Sequence, residues 1–252
     1  MNKFYIQIAF FLLSVSVNLN NKALASEPAP RKSIFKSNKY YPTSEEIYEK
    51  NKNLLCTDPK EITNAVELMN EAAKHLENHA TCKDGYKLIG KSLDENTFFY
   101  KKKHGDNTDI EKIQYKVHDS NKYNKIVNKF WNPDIRNPID YRSFKNTRNI
   151  NNYRQKYFYA LATKVEISKD KTLIAMTSAN INDGYPSDKE YKNTIIESAN
   201  LFKTDIDSEN DIRKGKLKKM FLNIGGYLIE KKDKYVNIVY IESVSDIHIL
   251  IA

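Results

Sequence analysis

The chain has little of what most site chemistry needs. Two cysteines occur in 252 residues, and the five histidines are scattered. No G-x-S-x-G elbow, no P-loop and no paired metal motif is present, which counts against an activated serine, a nucleotide-phosphate cradle and a metal-assisted reaction. The chain is therefore read as a non-enzyme without a cofactor. Beyond the first residues, no stretch approaches the ~20 apolar residues of a membrane-spanning helix. No recognised nucleic-acid motif accompanies the basic charge, so nucleic acid is not an expected partner.

The cysteines, Cys56 and Cys82, flank a predicted helix running from Pro59 to about Ala80. At roughly 1.5 Å per residue its ends lie ~30 Å apart, whereas the Cα atoms of a disulfide lie within ~7 Å. Two free thiols are expected. His75, His79 and Cys82 lack a fourth metal ligand in the sequence and are read as polar-face residues.

What is present begins with a secretory signal. Lys3, an apolar run over 4–17 and Ala23-Leu24-Ala25 before Ser26 form its three parts. The expected division is a signal peptide over 1–25, a flexible linker over 26–42 and one folded domain over 43–252. Loss of Lys3 and Lys22 lowers the formal charge from +9 to +7, a balance that permits attraction to anionic lipid. The lysines are interspersed with acids, so the charge alone carries little functional weight.

Thr43-Ser44-Glu45-Glu46 is a capping box that opens a helix through Leu55. Asp58-Pro59 opens the second, with Ile62, Val66, Met69, Ala73, Leu76 and Ala80 on one stripe. Strands are predicted over 85–92, 96–104 and 109–118, and a short helix over 120–131. Lys101-Lys102-Lys103 lies near a hairpin tip, where lysine protects a solvated edge or touches lipid phosphate. Residues 132–154 read as loop. A strand over 194–204 and a final hairpin over 217–230 and 235–244 complete an α+β domain. Apolar groups on both faces of the last strand imply a sheet covered on both sides.

Residues 155–181 organise the rest, as two long strands joined by Ser168-Lys169-Asp170-Lys171. Alternation places Tyr157, Tyr159, Leu161, Thr163, Val165 and Ile167 on an inner face, with Lys164 and Glu166 marking the outer one. A four-residue loop pairs Ile167 with Thr172 and adds Ile174, Met176, Ser178 and Asn180 to the inner face. That surface is apolar near the turn and polar at its far end. A ligand with an apolar tail and a polar head suits the gradient; an ordinary sheet core with hydrogen-bonded tyrosines is the competing reading.

The strings SEEIYEKNKNLLC, ELMNEAAKHLENHAT, FYKKKH, RQKYFYALATKVEIS, AMTSANIND, EYKNTIIESANLFKTDIDSENDIRKGKLKK and GYLIEKKDKYV closely resemble the fam-a proteins of rodent malaria parasites. The resemblance implies a START-like lipid-transfer domain of the helix-grip fold, a curved antiparallel sheet with N-terminal helices. It also implies secretion, export to the host erythrocyte or parasitophorous vacuole, and transfer of phosphatidylcholine with transient contact at membrane surfaces. Lys22-Ala23-Leu24-Ala25-Ser26 has the basic residue and leucine of an export element, with serine where an acid is expected. The ending SVSDIHILIA carries no long closing helix, so a shortened member lacking the C-terminal helix is expected.

Lipid carriage needs no nucleophile. Each methylene moved out of water is favourable by ~0.8 kcal/mol, and Leu161, Val165, Ile174 and Met176 are the expected acyl-chain wall. A buried phosphate needs donors, for which Tyr157, Tyr159, Ser178 and Asn200 are the candidates. Two rivals stand beside this reading: a variable host-interaction protein that keeps the fold without lipid transfer, and a helix-grip enzyme.

Overall fold

A computed structural model of the chain describes residues 7–11, 46, 49, 56, 58–92, 96–105, 108–131, 156–186 and 191–246. In chain order the elements are β1 (Gln7–Phe11), α1 (Pro59–Thr81), β2 (Lys87–Lys91), β3 (Thr97–His104), β4 (Thr108–His118), α2 (Tyr123–Trp131), β5 (Lys156–Tyr157), β6 (Ala160–Ser168), β7 (Lys171–Thr177), β8 (Asn180–Asn182), β9 (Lys203–Asp205), α3 (Asn210–Arg213), β10 (Lys218–Lys231) and β11 (Tyr235–Asp246). The strands of the main sheet lie in the order β1-β6-β7-β10-β11-β4-β3-β2, with β5 joining β10 in parallel. The other pairings in that sheet are antiparallel. The class is α+β, as the order of helices and strands in the sequence implies. The expected helix over 43–55, the loop over 132–154 and the chain's last six residues lie outside the described residues, apart from Glu46 and Glu49, which are helical.

α1 forms where its signals place it. Asp58 accepts a hydrogen bond from the Lys60 amide at 2.9 Å, and Pro59, which has no amide to leave unpaired, occupies the first helical position. The helix is unbroken, and both cysteines are free. The buried stripe is Ala65, Leu68, Met69, Ala72, Leu76 and Ala80, rotated from the predicted one. Ile62 is exposed. Alanines on the facing side let the helix lie close to the sheet, and close packing rather than hydropathy sets the rotation. Gly226 of β10 is where the approach is tightest. Its φ is +144°, and a Cβ there would overlap the Ile174 carbonyl oxygen and meet Leu76 Cδ2 at 2.8 Å.

The sheet has a core on each face. On one, α1 packs over Ile110, Leu161, Leu173, Ala175, Ile224, Leu228, Val239 and Ile241. On the other, Tyr123, Val127 and Trp131 of α2 cover Ile113, Ala162, Ile174, Tyr227, Ile229, Val236, Ile238 and Tyr240. Both faces of β11 are therefore covered, as its unalternating apolar pattern requires.

The central hairpin differs from the sequence expectation in one residue. Its turn is closed by Ser168 and Lys171, with an irregularity between Glu166 and Ser168, so Thr172 pairs with Glu166 and Leu173 with Val165. Ile167 is the extra residue and is left 38% exposed at the tip. A slip of one residue turns every side chain of a strand to the other face. Leu161, Thr163 and Val165 therefore share the α1 face with Leu173, Ala175 and Thr177, while Ile174 and Met176 stand on the α2 face. The four-residue loop fails because the irregularity at Ile167 absorbs a residue that the count assigned to the turn.

Two further elements depart from expectation. In place of a strand over 194–204 stand a single 3₁₀ turn, Glu197–Asn200, and the short β9, which pairs in parallel with β8. The Asn193 side chain accepts from the amides of Ile195 and Ile196 at 3.0 and 2.9 Å, and Asn200 bonds back to Asn193 at 2.7 and 2.9 Å. These local side-chain bonds take the backbone groups that a strand would need. The lysines 101–103 lie in β3, an interior strand between β2 and β4, with Lys101 ion-paired to Asp109 at 2.6 Å.

Gly226→Ala is expected to cost roughly 2–4 kcal/mol, because it combines a left-handed backbone with a steric overlap. Gly105→Ala, at φ +64° with open space around the added methyl, should cost only about 1 kcal/mol. Urea-unfolding midpoints of the two variants separate packing at Gly226 from backbone conformation alone.

Candidate functional site

The chain between β7 and β10 closes one end of the α1 face with polar groups. After β8, Asn182-Asp183-Gly184 makes a tight turn in which Gly184 adopts φ +68° and Asp183 accepts from the Tyr185 amide at 3.1 Å. The turn directs a carboxylate inward. Asp183 is only 2% exposed, and its oxygens accept from Lys219 Nζ at 2.8 Å and from the Tyr157 hydroxyl at 2.9 Å. Its carbonyl accepts from the Ser208 hydroxyl. A buried carboxylate is tolerated only when paired and hydrogen-bonded in this way.

Three tyrosines gather over this ion pair. Tyr157 meets Tyr159 edge-on at 5.7 Å between ring centroids and Tyr185 at 6.0 Å. The break between β5 and β6 at Phe158 and Tyr159 brings both odd-numbered tyrosines to the α1 face while Phe158 goes to a small core with Ala160, Met220 and Leu222. The Tyr157 hydroxyl is committed to Asp183. The Tyr159 hydroxyl is not: it is buried and has no hydrogen-bond partner among the described residues. Burial, then the Asp183 and Glu209 carboxylates, raise the Tyr159 phenol to about 12. It remains a neutral donor at physiological pH, in a place where an unmet donor is costly.

The other expected site residues divide clearly. Leu161, two residues on from Tyr159, lies fully buried on the α1 face, and Val165 is half-buried farther toward the tip. Ile174 and Met176 are across the sheet, so the expected four-residue wall is not one surface. Ser178 has a structural assignment: its hydroxyl donates to the Tyr159 carbonyl at 2.6 Å and accepts from the Leu222 amide at 3.1 Å. Asn200 is held in its exchange with Asn193. The sequence reading missed Asp183, Tyr185 and Lys219. The one available signal for Asp183 was the N-D-G turn immediately after a strand; nothing local links it to a lysine 36 positions away.

A second concentration of polar groups sits at the C-terminal end of α1. Lys112, on β4 and 6% exposed, donates to the carbonyls of His79 at 3.0 Å and Cys82 at 2.5 Å, and its ammonium lies 3.9 Å from the centroid of the Tyr86 ring. A cation on the last carbonyls of a helix is favourable to its dipole. Burial lowers Lys112 to about 8, so it stays largely charged at neutral pH. His79 is 6% exposed rather than on the polar face, with Nδ1 3.0 Å from the Tyr86 hydroxyl. Burial first, then the charges of Lys102, His75, His104 and Lys112, lower it to about 4. This cluster ties α1 to the sheet. On the α2 face, a cleft of about 270 Å³ lies between α2 and the hairpin tip, lined by Tyr123, Asn128, Lys164, Glu166 and Thr172 among others. It is below the roughly 300–1,000 Å³ of a small-molecule pocket and far too small for a phospholipid.

No protein-family model and no curated protein matches the chain. It is similar in structure to human STARD10, with 12% identity over 71% of this chain and 68% of that one and a TM-score of 0.42. Similarity also extends to the human StAR-related lipid transfer protein 5, with 10% identity, 75% and 85% coverage and a TM-score of 0.49. The lipid transfer and protein localization domain of human StarD13 matches with 12% identity, 70% and 83% coverage and a TM-score of 0.36.

Paired tyrosine variants separate the committed hydroxyl from the orphan. Tyr157→Phe is expected to destabilise by about 1.5–3 kcal/mol, the range for a hydrogen bond to a charged group. Tyr159→Phe should be neutral or stabilising by about 1 kcal/mol, because it removes a buried donor that nothing among the described residues satisfies. Chemical unfolding of both, without added ligand, reads the difference.

His79 sets a pH dependence of defined sign. Its folded value lies below its unfolded value of 6.5, so its contribution is complete above about pH 6.5 and is lost as the pH falls toward about 4. The urea midpoint should therefore drop between pH 7 and 4.5 in the natural protein, and less in His79→Gln.

Proposed function

We propose that this chain is a secreted, non-enzymatic lipid carrier of the START-like type, belonging to the fam-a proteins, and that it holds a phospholipid on the α1 face. The observation that carries the reading is the Tyr159 hydroxyl, a buried donor with no acceptor among the described residues, on the α1 face where Thr163 carries a second such hydroxyl. A phosphate or ester oxygen would satisfy it. Tyr157 and the Asp183–Lys219 pair form the wall behind the head group, with Lys219 supplying a cation to an anionic phosphate. The acyl chains run from there past Leu161 toward Leu173 and Ala175. The long strings shared with the fam-a proteins support the same reading and make phosphatidylcholine the first lipid to test. The signal-like residues 1–25 support secretion after Ala25, and the resemblance supports export to the infected red cell.

One observation favours the rival reading of an interaction protein without lipid transfer. Leu68, Met69 and Leu76 of α1 are fully buried against the α1 face, so acyl chains can enter only if the helix moves outward. Loading by α1 displacement and a permanently filled core therefore make different predictions.

Native mass spectrometry of the protein purified from a secreting host decides between them. Carriage predicts a stoichiometric phospholipid adduct, reduced several-fold in Tyr159→Phe, and transfer of labelled phosphatidylcholine between vesicles. Folded protein with neither adduct nor transfer would overturn carriage and favour the interaction-protein reading.

A further inference from the structure

β2 ends the sheet on the side away from β1, and it is an unusual edge. Its sequence is Lys-Leu-Ile-Gly-Lys. The register with β3 shifts between Leu88 and Gly90, leaving Ile89 as an unpaired extra residue. Leu88 and Ile89 are 49% and 52% exposed, adjacent large apolar side chains at the rim of the molecule.

The surroundings are aromatic and basic. Leu88 pairs with Tyr100 and Lys91 with Phe98, so these four share one face, and both aromatic rings are only partly buried. Lys91 lies 5.7 Å from the Phe98 ring centroid. Lys87 and Lys91 are exposed, and among the described residues neither meets a carboxylate. From 82 to 92 the chain has three lysines and a single acid, Asp84. Short length, an irregularity and lysines are also the devices that keep an edge strand from pairing with another copy. That purpose, however, is served by charge at the rim and does not call for Leu88 and Ile89 to stand in water. An apolar pair bracketed by lysines and backed by partly exposed aromatics matches the layering of a membrane interface: aliphatic groups among acyl chains, aromatic rings at the carbonyl level, ammonium groups on the phosphates.

We infer that the β2 edge is a membrane-docking surface for anionic phospholipid, with Leu88 and Ile89 entering the interface and Lys87 and Lys91 contacting head groups. It deepens the carrier reading by giving the protein a place to meet its donor and acceptor membranes, and rests on that reading for its purpose but not for its binding. The surface is separate from the tyrosine cluster, which belongs to the opposite half of the strand order.

Vesicle co-sedimentation tests it, with the protein purified from a secreting host. Binding to phosphatidylcholine vesicles containing about 30% phosphatidylserine should exceed binding to pure phosphatidylcholine by about tenfold at ~0.1 M salt, and the excess should vanish at ~0.5 M. The double variant Leu88→Ser/Ile89→Ser should bind about tenfold less, and Lys87→Glu/Lys91→Glu should lose the anionic preference while keeping a native near-ultraviolet spectrum. Undiminished vesicle binding by both doubles overturns the inference. So does sedimentation velocity showing that the natural protein self-associates and the serine double disperses it, since the edge is then a contact between copies. Native mass spectrometry of the serine double keeps the two ideas apart: a retained phospholipid adduct with lost vesicle binding supports docking at β2, and lost adduct with intact vesicle binding overturns it.

Discussion

The close approach of α1 to the sheet at Gly226 is the contact on which the rest depends. An α-carbon without a side chain, in a conformation that side-chain-bearing residues rarely adopt, lets Leu76 reach β10 beside the Ile174 carbonyl. From that point the helix lies flat across β7, β10 and β11. Its N-terminal half shares the core that ends in the tyrosines, and its C-terminal end is fixed by Lys112. Separating helix from sheet by the width of a methyl group would loosen the apolar core and the polar end together. The tyrosine cluster is thus held from two directions, by the N-D-G turn below and by the seating of α1 above.

Much of this was legible in the sequence. The limits of α1 follow from Asp58 and Pro59, and the final hairpin from two unalternating apolar runs around Lys231–Lys234. Alternation alone places Tyr157 and Tyr159 on one face with Leu161, as the α1-face core has them. What was not legible is what depends on single-residue counts or on distant partners. The hairpin turn shows the first limit: residues 168–171 are all compatible with turns of different length, and only the irregularity at Ile167 decides which face receives Ile174. The Asp183–Lys219 pair shows the second. Each residue lies in an ordinary local context, and only the parallel pairing of β5 with β10 brings Tyr157 to the lysine's strand.

The same contrast explains why Ser178 and Asn200 read as ligand donors. Both are small polar residues beside apolar strands, and both are committed to the backbone. Ser178 closes the gap between β6 and β10 where the ladder breaks, and Asn200 secures a turn that has no strand to lean on. Polar groups within a core are more often engaged in such repairs than in recognition. Tyr159 is distinguished from them by having no such engagement among the described residues.

β1 gives the fold an ambivalence. Residues 7–11 pair with β6 from Lys164 to Ala160, and they also lie inside the stretch that has the character of a secretory signal. A polypeptide segment cannot be both threaded through a translocation channel and laid along a sheet. If the segment is cut away, β6 becomes the rim, and Ala160, Leu161, Ala162 and Thr163 offer a row of backbone donors and acceptors with no charge before Lys164 to discourage a stranger. The processed molecule would then have one lysine-guarded rim and one unguarded rim, so its two ends would differ in how readily another strand could add to them.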